Sequence, residues 1–166
     1  LIKLVEKTTV PEMEFEATDG SISVKGNGKY KIPYIEGEFP TFTFDKNIDK
    51  IEISNSKLQE MFKVNKSAVA ITQELPCLTG YNVGEKCITT DGVKMCINEI
   101  KLLSDKVSIL ISREMSDLLT TIEDEKVNIQ IDGNRLLFTT DSMSIFGAEL
   151  AGKEQYPDIS GILDFE

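Results

Sequence analysis

Histidine is absent from all 166 residues. That omission removes Ser-His-Asp triads, Cys-His dyads, imidazole bases and His-bearing metal sites together. Three cysteines remain, Cys77, Cys87 and Cys96, an odd number with no Cys-x-x-Cys spacing. They read as small, buried apolar residues of a reducing compartment. Asp91, Asp132 and Asp141 are the carboxylates a Mg²⁺ reading would choose, but each follows a strand pattern and sits at a turn. An Asp there accepts hydrogen bonds from local backbone N–H groups, so turn-making is the better reading. A carboxylate-only hydrolase needs an acid and base pair, and no Asp/Glu pair stands apart from turn or surface positions. No catalytic residue, metal or cofactor is expected.

The composition is that of a globular chain, with 40% hydrophobic and 28% charged residues. Its length suits one domain or a little more. No apolar run reaches ~18 residues and no secretory leader is visible, so a cytoplasmic location without a membrane partner is expected. Lys and Arg number 18 against 28 Asp and Glu, a net charge of −10. This argues against a simple basic nucleic-acid module but leaves room for a local basic face.

The elements that would position any site are repeated. Leu1, Leu4 and Val5 fall at helical spacing, as do Leu58, Met61 and Phe62, and again Met115, Leu118, Leu119 and Ile122. Leu1, Leu58 and Met115 stand 57 residues apart in turn, which marks duplicated supersecondary units. Ser56 with Gln59 predicts a capping box, and Ser112 an N-cap. Ile51–Ile53 and Val107–Ile111 predict strands just before the second and third helices. Each helix is followed by three short alternating runs. After the first come Met13–Ala17, Ile22–Val24 and Tyr30–Ile32. After the second come Tyr81–Val83, Cys87–Thr89 and Lys94–Ile97. After the third come Val127–Ile131, Leu136–Phe138 and Ser144–Phe146. The turns at Asp19-Gly20, Asn27-Gly28, Asp91-Gly92 and Asp132-Gly133 predict hairpins, with type I′ geometry where both central positions take φ > 0. TTDGVKMCINEI (89–100) aligns without gaps on TTDSMSIFGAEL (139–150).

A longer period lies over this one. Asp19-Gly20 and Asp132-Gly133 are 113 residues apart, and Phe39-Pro40 and Tyr156-Pro157 are 117 apart. The true domain is therefore a pair of β-α-β-β-β units. The fold class is α+β, duplicated units with helices on one face of an antiparallel sheet. Residues 1–47 hold the second half of one such domain and 48–166 a complete one, so the native chain is expected to extend further N-terminally.

This organisation resembles the bacterial sliding clamp, the beta subunit of DNA polymerase III, over nearly the whole chain. Leu78-Thr79-Gly80 followed by Thr89-Thr90-Asp91-Gly92-Val93-Lys94-Met95 looks like the family's L-N-G … A-T-D-G-H-R-L of the middle domain. Glu149-Leu150 to Tyr156-Pro157-Asp158-Ile159 and Ile162 look like the close of that domain, and Gly37-Glu38-Phe39-Pro40 like the close of the first. Val93-Lys94-Met95 stands for His-Arg-Leu, Thr79 for Asn, Ile159 for Tyr, and Gly161 for a basic residue. The resemblance implies the clamp fold, with residues 1–47 ending domain one, 48–166 forming domain two, and a third domain absent from this chain.

The resemblance also implies a non-catalytic function. A homodimeric ring encircles double-stranded DNA without reading its sequence, in the cytoplasm at the nucleoid. It tethers the DNA polymerase subunit and the clamp loader through linear peptide motifs. The partner-peptide cleft maps to Leu78, Thr90, Gly92, Val93, Lys94, Met95, Pro157, Gly161 and Ile162. The DNA-facing set is Lys3, Lys7, Lys57, Lys63, Lys66 and Arg113. Segment 54–68 carries three Lys against Glu60 alone, whereas Arg113 is followed by Glu114 and Asp117. The competing reading is a small-ligand-binding α+β domain whose meander encloses an apolar pocket. It predicts a monomer without a basic helix face.

Overall fold

Short alternating runs separated by Asp-Gly and Asn-Gly do fold as hairpins. The computed structural model describes residues 1–34, 37, 41–45, 47–72, 74–104 and 107–159. It divides into two compact units, Leu1–Thr41 and Phe42–Glu166.

In the first unit, helix α1 (Ile2–Glu6) is followed by a three-stranded antiparallel sheet of β1 (Glu14–Thr18), β2 (Ser21–Lys25) and β3 (Lys29–Pro33), in that order. Its turns depart from the type I′ expectation. Among the described residues no non-glycine has positive φ, and Gly20 does (φ 72°) while Gly28 does not. Side chains hold these turns instead. The Tyr34 hydroxyl accepts from Gly20 N and donates to Thr18 O. Asn27 Oδ1 accepts from Thr9 N and Val10 N, which ties the second turn to the segment before β1. The apolar face predicted for α1 is not buried: Leu1 and Val5 are exposed and Leu4 is half-buried. Among the described residues of this unit Val24 is the only buried apolar one, and none of α1 is buried.

The second unit opens with β4 (Ile51–Ser54) and α2 (Asn55–Asn65). The meander β5 (Gly80–Val83), β6 (Cys87–Thr90) and β7 (Met95–Asn98) follows. The pattern then repeats as β8 (Ile109–Ser112), α3 (Arg113–Leu119), β9 (Lys126–Asp132), β10 (Arg135–Thr139) and β11 (Ser144–Ala148). Its two sheets have the orders β11-β10-β9-β4 and β7-β6-β5-β8, antiparallel throughout. Each meander thus takes its fourth strand from the other repeat. Ile51 and Ile53 of β4 stand opposite Ile129 and Val127 of β9, and Ile109 and Ile111 of β8 opposite Val83 and Tyr81 of β5.

One apolar cluster joins both sheets and both helices. Leu58, Met61 and Phe62 of α2 share it with Met115 and Leu119 of α3, Ile122, Tyr81 and Phe138. Each such side chain contributes about 1.5–3 kcal/mol by leaving water. Leu118, predicted for this face, is exposed. The buried stripe of α3 is Met115, Ser116 and Leu119, and the helix ends after two turns, leaving Leu118 on the outer side.

The caps differ between the two helices. Ser112 Oγ accepts from Met115 N at 3.1 Å, the N-cap read from the sequence. The capping box at Ser56 and Gln59 does not form, because the N-cap is Ser54 and α2 begins at Asn55, two residues before the start that an N-cap at Ser56 would give. Its start is tied to a distant turn. Asn55 N donates to Glu125 O, Asn55 Nδ2 to Ile122 O and Asp124 O, and Gln59 Nε2 to Ile122 O. Equilibrium urea unfolding should rank the variants accordingly. Ser112→Ala is expected to cost about 1 kcal/mol and Asn55→Ala about 1–3 kcal/mol. Ser56→Ala should stay within about 0.5 kcal/mol.

Candidate functional site

The turn between β6 and β7 is built by two side chains. Thr90 is buried; its Oγ donates to Lys94 O at 2.8 Å and accepts from Gly92 N at 3.1 Å. Asp91 Oδ1 accepts from Val93 N at 3.0 Å and Lys94 N at 2.9 Å, and its other oxygen pairs with Lys94 Nζ at 2.9 Å. Gly92 supplies the positive φ (87°) that the tight turn requires. The result is a rigid tip that pushes Val93 into solvent, 95% exposed. The backbone N–H of Lys94, then its ammonium, then the Val93 N–H lower the Asp91 carboxyl from its ordinary 3.8 to about 2.

The matching turn after β10 uses the same chemistry, with Thr140 Oγ accepting from Ser142 N and Met143 N. The repeated Thr-Thr-Asp is therefore a turn-building motif. Asp91, Asp132 and Asp141 stand in three different turns, and no metal-holding group of three acidic, His or Cys side chains occurs among the described residues. All three cysteines are free, with Cys77 and Cys87 buried and Cys96 half-buried; burial pushes the Cys87 thiol up.

Other parts of the predicted cleft gather round this turn. Met95 is half-buried opposite Thr90. Leu78 is buried in a second apolar cluster with Ala70, Cys77 and Leu110, against which Leu150 and Tyr156 pack. The Tyr156 hydroxyl donates to Ile88 O at 2.9 Å, which draws the segment leading to exposed Pro157 onto β6, the strand that ends in Thr90. Gly161 and Ile162 lie outside the described residues. The end of α2 secures the hairpin from behind. Asn65 Nδ2 donates to Cys87 O, Thr89 Oγ and Cys96 O, and Thr89 Oγ donates to Asn65 O.

The predicted DNA-facing cations are less uniform. Lys57 and Lys63 are exposed on α2, on the side away from Leu58, Met61 and Phe62, with Glu60 between them. Lys66 is exposed and pairs with Asp117 of α3 at 3.6 Å. Arg113 is half-buried at the first position of α3, and Lys3 and Lys7 are exposed in the first unit. Sequence reading put Lys66 and Arg113 in one set and Val93 and Lys94 in another, but all four line one groove of about 420 Å³. Its wall also holds Val69, Ala70 and Ile71, which the sequence reading missed. Their only signal was an aliphatic run, Val69-Ala70-Ile71, outside any helical or strand period. A larger groove of about 1080 Å³, between the start of α2 and the 120–126 turn, is lined by Glu52, Glu123, Asp124 and Glu125. Ile53, Ile122, Asn55, Gln59 and Lys126 are also in its lining, which is therefore mixed in character and carries more acid than base.

No protein-family model matches this sequence, and no curated protein does. Solved structures do. The DNA polymerase sliding clamp of Bacillus subtilis aligns with 99% of this chain and 46% of its own, at TM-score 0.74 and 21% identity. The beta sliding clamp of Caulobacter crescentus aligns with 99% of this chain and 48% of its own, at 0.76 and 16%. The DNA polymerase III beta subunit of Thermotoga maritima gives 97% and 47%, at 0.72 and 19%. This chain has the sliding-clamp fold. It spans about half the length of the clamp structures it matches. The α+β architecture of duplicated units expected from the sequence is that of the clamp fold, and the Thr90–Met95 turn is one of its hairpin tips. No helix among the described residues is long and apolar enough to cross a membrane.

Because Asp91 is a stronger acid folded than unfolded, its stabilisation is complete above about pH 4 and is lost as pH falls towards 2. Asp91→Asn should therefore lose less stability than the parent between pH 4 and pH 2. Carboxyl NMR titration should place the Asp91 midpoint near 2.

Proposed function

We propose that this chain belongs to a ring-forming DNA sliding clamp, a non-catalytic processivity factor that holds a replicative polymerase on duplex DNA. The observation that carries the reading is the likeness of 99% of the chain to sliding clamps at TM-scores of 0.74 and 0.76. Residues 1–47 are read as the end of the first clamp domain and 48–166 as the middle domain, the third lying outside this chain. The first unit supports that division. Its meander has three strands and its helix exposes Leu1, Ile2 and Val5, whereas each meander of the second unit gains a fourth strand from a partner repeat.

In this reading two protomers close head to tail around DNA. Lys57, Lys63, Lys66 and Arg113, with Lys3 and Lys7, oppose phosphates through water, independently of sequence. Glu60 and Asp117 interrupt these cations, which favours sliding over gripping. Leu78, Thr90, Gly92, Val93, Lys94, Met95 and Pro157, with Gly161 and Ile162, form the wall on which linear peptides of the polymerase and clamp loader dock. Met suits such a wall because its flexible thioether adapts to varied ligands. The location is the cytoplasm, at the nucleoid.

The full-length protein loaded on nicked circular plasmid should stay with it through gel filtration in high salt and should be released when the plasmid is linearised. Equal retention on both forms would reject the ring. Met95→Ser or Pro157→Ala should weaken binding of a polymerase-derived clamp peptide about tenfold with little change in unfolding midpoint. Unaltered affinity in both variants would reject the cleft assignment.

A further inference from the structure

Asn27-Gly28, in the turn between β2 and β3, is the one Asn-Gly pair of the sequence. Asn27 is exposed, yet its side-chain amide is held at every atom that can bond. Oδ1 accepts from Thr9 N at 3.3 Å and from Val10 N at 3.2 Å, and Nδ2 donates to Thr9 Oγ at 2.9 Å. Two successive backbone N–H groups on one carbonyl oxygen are the arrangement that stabilises negative charge there when the attached carbon is attacked. The next nitrogen along the chain is that of Gly28. It donates no hydrogen bond among the described residues, whereas the Gly28 carbonyl accepts from Gly26 N. Glycine keeps this nitrogen unshielded, since a Cβ at position 28 would stand 3.3 Å from the Tyr30 hydroxyl. Cations flank the turn. Lys25 is paired with Glu14 at 2.9 Å, and Lys29 has no ion pair among the described residues. Negative charge at the turn is therefore favoured from both sides.

We propose that Asn27 is a self-modifying site, at which the folded chain converts its own asparagine to aspartate. The Gly28 nitrogen gives its proton to a solvent base and bonds to Asn27 Cγ. Negative charge forms on Oδ1, under the N–H groups of Thr9 and Val10. The Cγ–Nδ2 bond then breaks, and Nδ2 takes a proton from water and leaves as ammonia. What remains is a five-membered succinimide. Water opens it at Cγ to give aspartate in the normal backbone, or at the Asn27 backbone carbonyl to give iso-aspartate. One water is consumed and one ammonia released, with no oxidant or cofactor. The surroundings favour aspartate. A carboxylate at position 27 keeps both N–H donors, and such bonds are stronger to an anion than to a neutral amide. The Thr9 hydroxyl, an acceptor towards Asn27 Nδ2, turns to donate to the new carboxylate. Iso-aspartate instead adds a methylene to the backbone inside a turn whose length sets the pairing of Lys25 with Lys29. The product thus carries one more negative charge and ties residues 9 and 10 to the turn more firmly. None of this depends on the ring or on DNA.

Peptide mapping by mass spectrometry tests this on the full-length protein, incubated at mildly alkaline pH both folded and in urea above its unfolding midpoint. Residue 27 should convert in the folded protein at least as fast as in urea. Aspartate should be the main product when folded and iso-aspartate the main product in urea. Val10→Pro removes one of the two N–H donors and should slow the folded conversion at least about tenfold without changing the rate in urea. Thr9→Val keeps both N–H donors and should slow it far less. Asn27→Asp, which is the product itself, should unfold at a higher midpoint than the parent at neutral pH, and Asn27→Ala at a lower one. A folded rate well below the rate in urea would overturn the inference, because the hydrogen bonds would then protect Asn27 instead of activating it. Iso-aspartate as the main product of the folded chain would overturn it too, as would equal folded rates in the parent and Val10→Pro. The comparison of folded with unfolded parent needs no variant, so it decides the matter even where Val10→Pro does not fold.

Discussion

Residues 42–166 depend on an exchange of strands. β4 precedes α2 in the chain but pairs with β9, and β8 precedes α3 but pairs with β5. Neither repeat can complete a four-stranded sheet from its own residues. The apolar faces of the two helices therefore meet in one core instead of covering two separate sheets. Closing the Ile51–Ile129 pairing requires ordering of most of the chain between them, so the cost in chain entropy falls on the domain as a whole. The free side of β8 is occupied as well. Leu110 N donates to Glu149 Oε1 and Leu110 O accepts from Leu150 N, while Lys153 Nζ bonds to Ser108 O. This protects an apolar strand that would otherwise offer unpaired backbone to another chain.

The same exchange positions the candidate site. Asn65 at the end of α2 bonds to β6 and to Cys96 of β7, so the Thr90–Met95 turn is braced by a helix whose start is tied to residues 122–125. The tip carrying Val93 is thus rigid at both ends. The electrostatics follow the same division. The groove by the tip is rich in cations, and the groove at the start of α2 is rich in acids. Charges sort onto different faces of the second unit despite an overall excess of acid.

Much of this was legible in the sequence because it rests on local chemistry. The strands matched the alternating runs, and the Ser112 cap and the turn role of Asp91 followed from what those side chains do to neighbouring N–H groups. What was not legible depends on partners distant in the chain. A period of two marks Ile51–Ile53 as a strand but says nothing of its pairing with β9. Ser56 and Gln59 spell a capping box, yet Asn55 satisfies the start of α2 through carbonyls about seventy residues on. Leu118 fits the helical period of α3, but Ser116 fills the buried place. The exposure of Ile71 is likewise a property of the assembled surface. The clamp resemblance needed only order and spacing, and the fold is shared at identities of 16–21%.

In the proposed ring the outward faces of the helices, not the open faces of the sheets, meet DNA. Photo-crosslinking of the full-length protein loaded on closed circular plasmid tests it most directly. The crosslinking side chain is placed in turn at Lys57, at Lys63, and at Asn128, which alternates with core residues Val127 and Ile129 on the far side of β9. DNA adducts are expected from Lys57 and Lys63 and not from Asn128, and they should be lost when the plasmid is linearised before irradiation. Adducts from Asn128 with none from the α2 positions, or adducts indifferent to linearisation, would contradict it.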